Sequence, residues 1–166
     1  MLSRRASLRN EPEMHAEPKN MANSSTGPMK LHTFLNYGGN CEQAMRFYER
    51  HLGGRITMLM RRAEQPDQPL AWPGWEDSVQ YATMDLGETQ LMASDVPPDR
   101  FQPMRSVYLS LTVDSADEAE RVWAVLADGG QALMPMSETF FATRFGQLRD
   151  KFGTSWMILA PRAQPA

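Results

Sequence analysis

GGNCEQAMRFYERHLGG, residues 38–54, returns in altered form at 115–130 as SADEAERVWAVLADGG. Both stretches open on a polar turn, place an alanine in the first turn of a helix and a pair of large apolar residues one turn later, and end on Gly-Gly. At an offset of 75 residues Ala44 maps onto Ala119, and Phe47-Tyr48 onto Val122-Trp123. The first helix is expected to start at an Asn40 N-cap and to turn Ala44, Phe47, Tyr48 and Leu52 inward. In the second, Ser115 is the N-cap, Glu118 its capping-box partner, and Ala119, Val122, Trp123 and Leu126 the inner stripe. The paired glycines suit a left-handed helix C-terminus.

Strands flank both helices. KLHTFLNY (30–37) precedes the first, and ITMLM (56–60) follows it. Residues 79–86 then alternate, with Val79, Ala82, Met84 and Leu86 apolar and Tyr81, Thr83 and Asp85 on the opposite face. The turn GET (87–89) leads into QLMAS (90–94), which closes a hairpin. VYLSLTV (107–113) precedes the second helix; QALMPM, ETFFATRFGQL and TSWMILA follow, the last two joined through DKFG (150–153). The order is strand, helix, three strands, twice. This predicts an α+β fold of two tandem βαβββ modules forming a cupped, mostly antiparallel sheet with helices outside. The expected divisions are a disordered extension over 1–28, a first module over 29–94, a proline-rich linker over 95–105 and a second module over 106–162. Residues 61–78 form a long loop carrying Trp72 and Trp75, either as packing anchors, at an interface, or as a lid over a pocket.

Composition narrows the partners. A net charge of −3 gives no electrostatic reason to expect nucleic acid or an anionic membrane. The single cysteine, Cys41, precludes an intramolecular disulfide, and no apolar run approaches the ~18 residues of a membrane span. A cytoplasmic protein is expected. Thirteen methionines supply either soft core filler or an adaptable apolar pocket.

The doubled order resembles the vicinal oxygen chelate superfamily, which includes glyoxalase I, extradiol dioxygenases and bleomycin-resistance proteins. LNYGGNCEQAMRFYERHLGG, LMASDVPP, AERVWAVLADGG and FGQLRDKFGTSWMI more closely resemble its PhnB-like members, across roughly 29–160. The resemblance implies a ligand or metal in the cup. Catalytic members hold a divalent cation with His, Gln or Glu on the first and last strand of each module. Carried over, those positions fall at Thr33 and Tyr108, and at about Leu91 and Met157; none is a good ligand for such a cation. Many PhnB-like proteins also have a histidine where this chain has Tyr81. His32 is one residue from a ligand position, a shift that turns a side chain to the other face of a strand. No metal and no cofactor are therefore expected. Members are often named after phosphonate metabolism or a demethylubiquinone methyltransferase, yet no glycine loop for S-adenosylmethionine is visible.

Cys41 at a helix N-terminus is a candidate nucleophile, or simply a small first-turn residue. Arg144 and Arg149 near the last hairpin could attract an anion. The expected ligand pocket comprises Thr33, Tyr37, Tyr81, Thr83, Tyr108 and Met157, with tyrosines suited to a planar or amphipathic small molecule. The reading is a small-molecule binding protein, paired as a homodimer. The alternative is a lyase, isomerase or dioxygenase-type enzyme with a divergent active site, in which Tyr81 or Tyr108 acts as an acid. A third is a domain kept for partner contacts through Trp72 and Trp75.

Overall fold

A computed structural model describes residues 30–64 and 72–162; the expected extension over 1–28 lies outside the described residues. The described residues from His32 to Arg162 belong to one compact unit. Its first module contains β1 (Thr33–Tyr37), α1 (Cys41–Leu52), β2 (Arg55–Arg61), β3 (Val79–Leu86) and β4 (Thr89–Asp95). The second contains β5 (Leu109–Thr112), α2 (Ala116–Ala127), β6 (Gln131–Ser137), β7 (Ala142–Arg149) and β8 (Ser155–Pro161). The α+β class and the doubled βαβββ order are as the sequence predicts. Each module is a four-stranded sheet, ordered β1-β4-β3-β2 and β5-β8-β7-β6, antiparallel except where the first strand pairs parallel with the last. None of the described helices is long and apolar enough to cross a membrane.

Each helix covers one face of its own sheet. Leu35, Tyr37, Val79, Ala82, Met84, Leu91 and Ala93 line that face in module 1, and Leu148, Trp156, Ile158 and Ala160 in module 2. With residues of α1 and α2 they form a single buried cluster. The two modules thus share one core through their helix-bearing faces, and the other face of each sheet looks away from it. Arg121 of α2 donates to the His51 carbonyl at the end of α1, 3.2 Å away.

The Gly-Gly pairs divide their work in the same way in both modules. Gly53 and Gly129 hold φ of 74° and 72°, the left-handed region that ends each helix. Gly54 and Gly130 are glycine for space: a Cβ would lie 2.6 Å from Met84 Sδ at the former and 2.5 Å from the Arg149 carbonyl oxygen at the latter.

The helix starts differ. Ser115 Oγ accepts from the Glu118 amide at 3.2 Å, as expected, while the Glu118 carboxylate pairs with Arg121. Asn40 makes no capping bond. Its expected role falls to Asp95 at the end of β4, whose Oδ1 accepts from the Gly39 and Cys41 amides and whose Oδ2 accepts from Val79 N, all at 2.9 Å. One carboxylate from a distant strand caps α1 and joins it to the start of β3.

A second buried carboxylate joins the modules. Asp150, 4% exposed, accepts from the Tyr48 hydroxyl at 2.6 Å, Trp156 Nε1 at 2.9 Å, Phe152 N at 2.9 Å and Thr154 N at 3.0 Å. The Tyr37 hydroxyl bonds the Thr154 hydroxyl at 2.9 Å, and the latter also bonds the Tyr48 hydroxyl at 2.8 Å. Burial drives the Tyr37 and Tyr48 phenols well above the usual tyrosine range. A phenol whose folded pKa exceeds its unfolded value contributes stability that is complete below pH ~10 and is lost as pH rises beyond it. Tyrosinate absorbance from Tyr37 and Tyr48 is therefore expected only together with unfolding in an alkaline titration. Their ionisation while circular dichroism stays native would contradict the packing described.

In the long loop, Arg62 closes the 3₁₀ turn Arg62–Glu64 and is nearly buried; it bonds Ser78, Gln80 and the Asp95 carbonyl. Trp72 lies against its guanidinium at 4.1 Å and against that of Arg100 at 5.3 Å. These contacts tie the loop to the linker.

Candidate functional site

The face of each sheet opposite its helix is the candidate binding surface. In module 1 a row of facing positions runs Phe34 (β1), Met92 (β4), Thr83 (β3), Met58 (β2). In module 2 the corresponding row is Ser110, Met157, Gln147, Met134. Methionine occupies the second and fourth place in both rows, so at least four of the methionines serve an exposed face rather than the core. The sequence alone had left that choice open.

Module 1 carries the richer surface. The Tyr81 hydroxyl donates to Met92 Sδ at 3.1 Å, and its ring lies 6.2 Å from that of Phe34. Thioether sulfur is a weak acceptor, so this hydroxyl can exchange its partner for a ligand at small cost. Thr83 and Thr57 hydroxyls bond at 2.7 Å, Ser94 donates to Asn36 at 3.1 Å, and the Arg55–Asp85 pair stands at the exposed edge. The result is an apolar floor of one aromatic ring and two thioethers, with hydroxyls and an amide around it.

Of the six residues expected to form the pocket, Tyr81 and Thr83 share this surface, and Met157 lies in the equivalent row of module 2. Tyr37 is corrected: it is fully buried in the core phase of β1 with Leu35, and Thr33 shares that phase, off the open face and half-buried. Thr33 instead meets Tyr108 at a cleft of about 470 Å³ between the β1–β4 edge and β5, floored by Leu91, Leu109 and Trp156 and rimmed by the Glu118–Arg121 pair.

The reason is one residue of loop. Ser110, paired with Met157, lies nine residues before Ala119, whereas its counterpart Phe34, paired with Met92, lies ten before Ala44. An offset taken from the helices therefore lands one residue out in β1, and a period of two turns that into the opposite face. His32, just before β1, falls in the open phase with Phe34 and Asn36; Leu91 falls in the core phase. The open-phase counterparts of the superfamily's metal positions are then His32, Met92, Tyr108 and Met157. One imidazole, two thioethers and a phenol do not fit a divalent cation that prefers oxygen and nitrogen. Among the described residues no three His, Cys, Asp or Glu side chains are grouped to hold a metal ion. Cys41 is fully buried, and burial, reinforced by Asp95 and Glu42, raises its thiol far above the reactive range. It is a core residue. His51 packs its ring 4.5 Å from Phe47.

Paired βαβββ modules with one open sheet face each define a vicinal oxygen chelate fold. The glyoxylase/bleomycin resistance protein/dioxygenase domain from Frankia sp. EAN1pec shares it, with a TM-score of 0.57 at 17% identity, over 82% of this chain and all of that one. Residues 29–159 match the family described as 3-demethylubiquinone-9 3-methyltransferase, and the chain belongs to that PhnB-like family. Protein PA1353 from Pseudomonas aeruginosa is 34% identical with a TM-score of 0.74, covering 82% of this chain and 100% of its own. The PhnB protein from Bacillus cereus is 30% identical with a TM-score of 0.68, covering 80% and 99%.

Proposed function

We propose that this protein binds a small, planar or amphipathic organic molecule on the open face of module 1, without a metal ion. The observation that carries the reading is the Phe34–Tyr81–Met92 surface, where an aromatic ring and a thioether flank a hydroxyl whose hydrogen bond among the described residues is to sulfur. Such a surface offers apolar contact, a hydrogen bond to orient the ligand, and methionine that repacks around different shapes. It places no nucleophile or paired acid and base against the ligand. Affinity rather than turnover is the function it supports.

The reading includes a homodimer. Phe34, Met58 and Met134 are between 43% and 51% exposed on the open faces, apolar area that a second copy would cover while walling in the ligand. Sedimentation should give twice the chain mass, and a monomer at high concentration would remove this part of the proposal.

A neutral probe, 2-naphthol, tests the site by calorimetry in the presence and absence of EDTA. Saturable binding that is indifferent to the chelator is expected, with about a tenfold loss of affinity in Tyr81→Ala, equivalent to ~1.4 kcal/mol. Wild-type affinity in that variant, or binding abolished by EDTA, would overturn the assignment.

A further inference from the structure

A separate cavity of about 560 Å³ opens where β7 turns into β8. Its apolar wall comprises Phe101, Met104 and Phe152, and its polar groups are Asn40, Arg149 and Lys151. Phe101 closes one side by lying flat over Gly38, where a Cβ would meet its ring at 3.3 Å.

Among the described residues no carboxylate compensates the charges at this cavity. Arg149 and Lys151 both line it, whereas Asp150 between them turns inward to Tyr48 and Trp156. Among the described residues every other close ion pair involves different arginines; neither Arg149 nor Lys151 has a carboxylate within 4.0 Å. Arg149 Nε is buried and has no hydrogen-bond partner among the described residues. A buried guanidinium donor without an acceptor is costly, and such a group calls for an explanation, a strained contact, a water or an ion among them. Lys151 Nζ rests 4.4 Å from the Phe47 ring, a cation–π contact that positions the ammonium without neutralising it. The Asn40 amide, released from capping because Asp95 takes that role, adds an uncommitted donor.

We infer that this cavity binds an organic carboxylate with a flat apolar body. The carboxylate would bridge the outer nitrogens of the Arg149 guanidinium and the Lys151 ammonium, while the body lies between Phe101 and Phe152. Arg suits a carboxylate because its planar fork donates two parallel bonds. The site does not depend on the proposed function of the module 1 face: it lies on other residues and calls for an anionic ligand where that face is tested with a neutral one.

The probe is cinnamate, measured by calorimetry on the full chain, with cinnamamide as its neutral counterpart. Cinnamate is expected to bind saturably, at least tenfold tighter than the amide, and more weakly as salt rises. Arg149→Met keeps the length and apolar stem and removes an unpaired buried donor, so the variant should fold; its cinnamate affinity should fall at least tenfold while 2-naphthol binding is unchanged. Tyr81→Ala should show the reverse pattern. Equal affinity for acid and amide, or no effect of Arg149→Met, would overturn the inference. So would a site that takes inorganic phosphate but not cinnamate, which would show charge attraction without the apolar subsite.

Discussion

Asp150→Ala should lower stability by on the order of 4 kcal/mol, read as a large fall in the urea midpoint at unchanged slope. The carboxylate is the shared acceptor for Tyr48, Trp156 Nε1 and two backbone amides of the β7–β8 turn. Removing it strands donors that water does not reach, at about 1–3 kcal/mol for each left unpaired. Tyr48 retains the Thr154 hydroxyl at 2.8 Å, so its share is the smaller. Phe152 is only partly buried and its amide can turn to solvent. The indole and the Thr154 amide have no such recourse. Against the roughly 5–15 kcal/mol that holds a domain together, this is a large fraction. Asp150→Asn is the sharper variant: its oxygen can serve the turn amides, but its NH₂ then faces the donors Tyr48 and Trp156. It should recover only part of the loss. A drop below about 1 kcal/mol in Asp150→Ala would mean that water replaces the carboxylate and that the network does not bind α1 to module 2.

Gly130→Ala should cost about 3 kcal/mol, the upper end of what overpacking usually does. The added methyl would meet the Arg149 carbonyl oxygen at 2.5 Å, the Leu126 carbonyl oxygen at 3.0 Å and the Asp150 Cα at 3.1 Å. All three are backbone atoms, from the end of α2 and the end of β7, so relief requires two elements to separate. Gly54→Ala is the internal control. There the methyl meets the Met84 side chain, whose sulfur can swing aside. It should cost clearly less. Equal thermal shifts for the two variants would show that the module 2 contact yields as readily as a thioether does.

These two residues mark where reading along the chain stops. That a glycine pair ends each helix is visible in the sequence, and the first glycine of each pair follows from local geometry, since φ near 70° is unfavourable for other residues. The need for the second glycine is set by β3 in one module and by β7 in the other. Similarly, Ser115 is legible as a cap because its partner, Glu118, is three residues away. Asn40 reads equally well, yet Asp95, 54 residues from Cys41, takes the amide. Asp150 sits in a stretch that reads as an ordinary turn, and nothing nearby in sequence announces Tyr48, 102 residues earlier.

The candidate site divides along the same line. Tyr81, Thr83 and Met157 could be anticipated on the open faces because alternation within β3 and β8 assigns each residue a face, whereas the methionine rows could not, since composition alone does not say which methionines leave the core. Thr33 and Tyr37 could not, since the face of β1 depends on the length of its connection to α1. A loop one residue longer than its counterpart leaves the helix in place and inverts the strand's phase.

The sequence by itself determined the α+β class, the doubled βαβββ order and the helix ends that local chemistry controls. Periodicity and capping act within a few residues, and the duplication made each signal count twice. Only the tertiary structure decided which face of β1 is open, that both helix-bearing faces merge into one core, and that Arg149 Nε has no acceptor among the described residues. Each of these depends on groups brought together from distant parts of the chain, where a displacement of one residue or a few ångströms changes the partner.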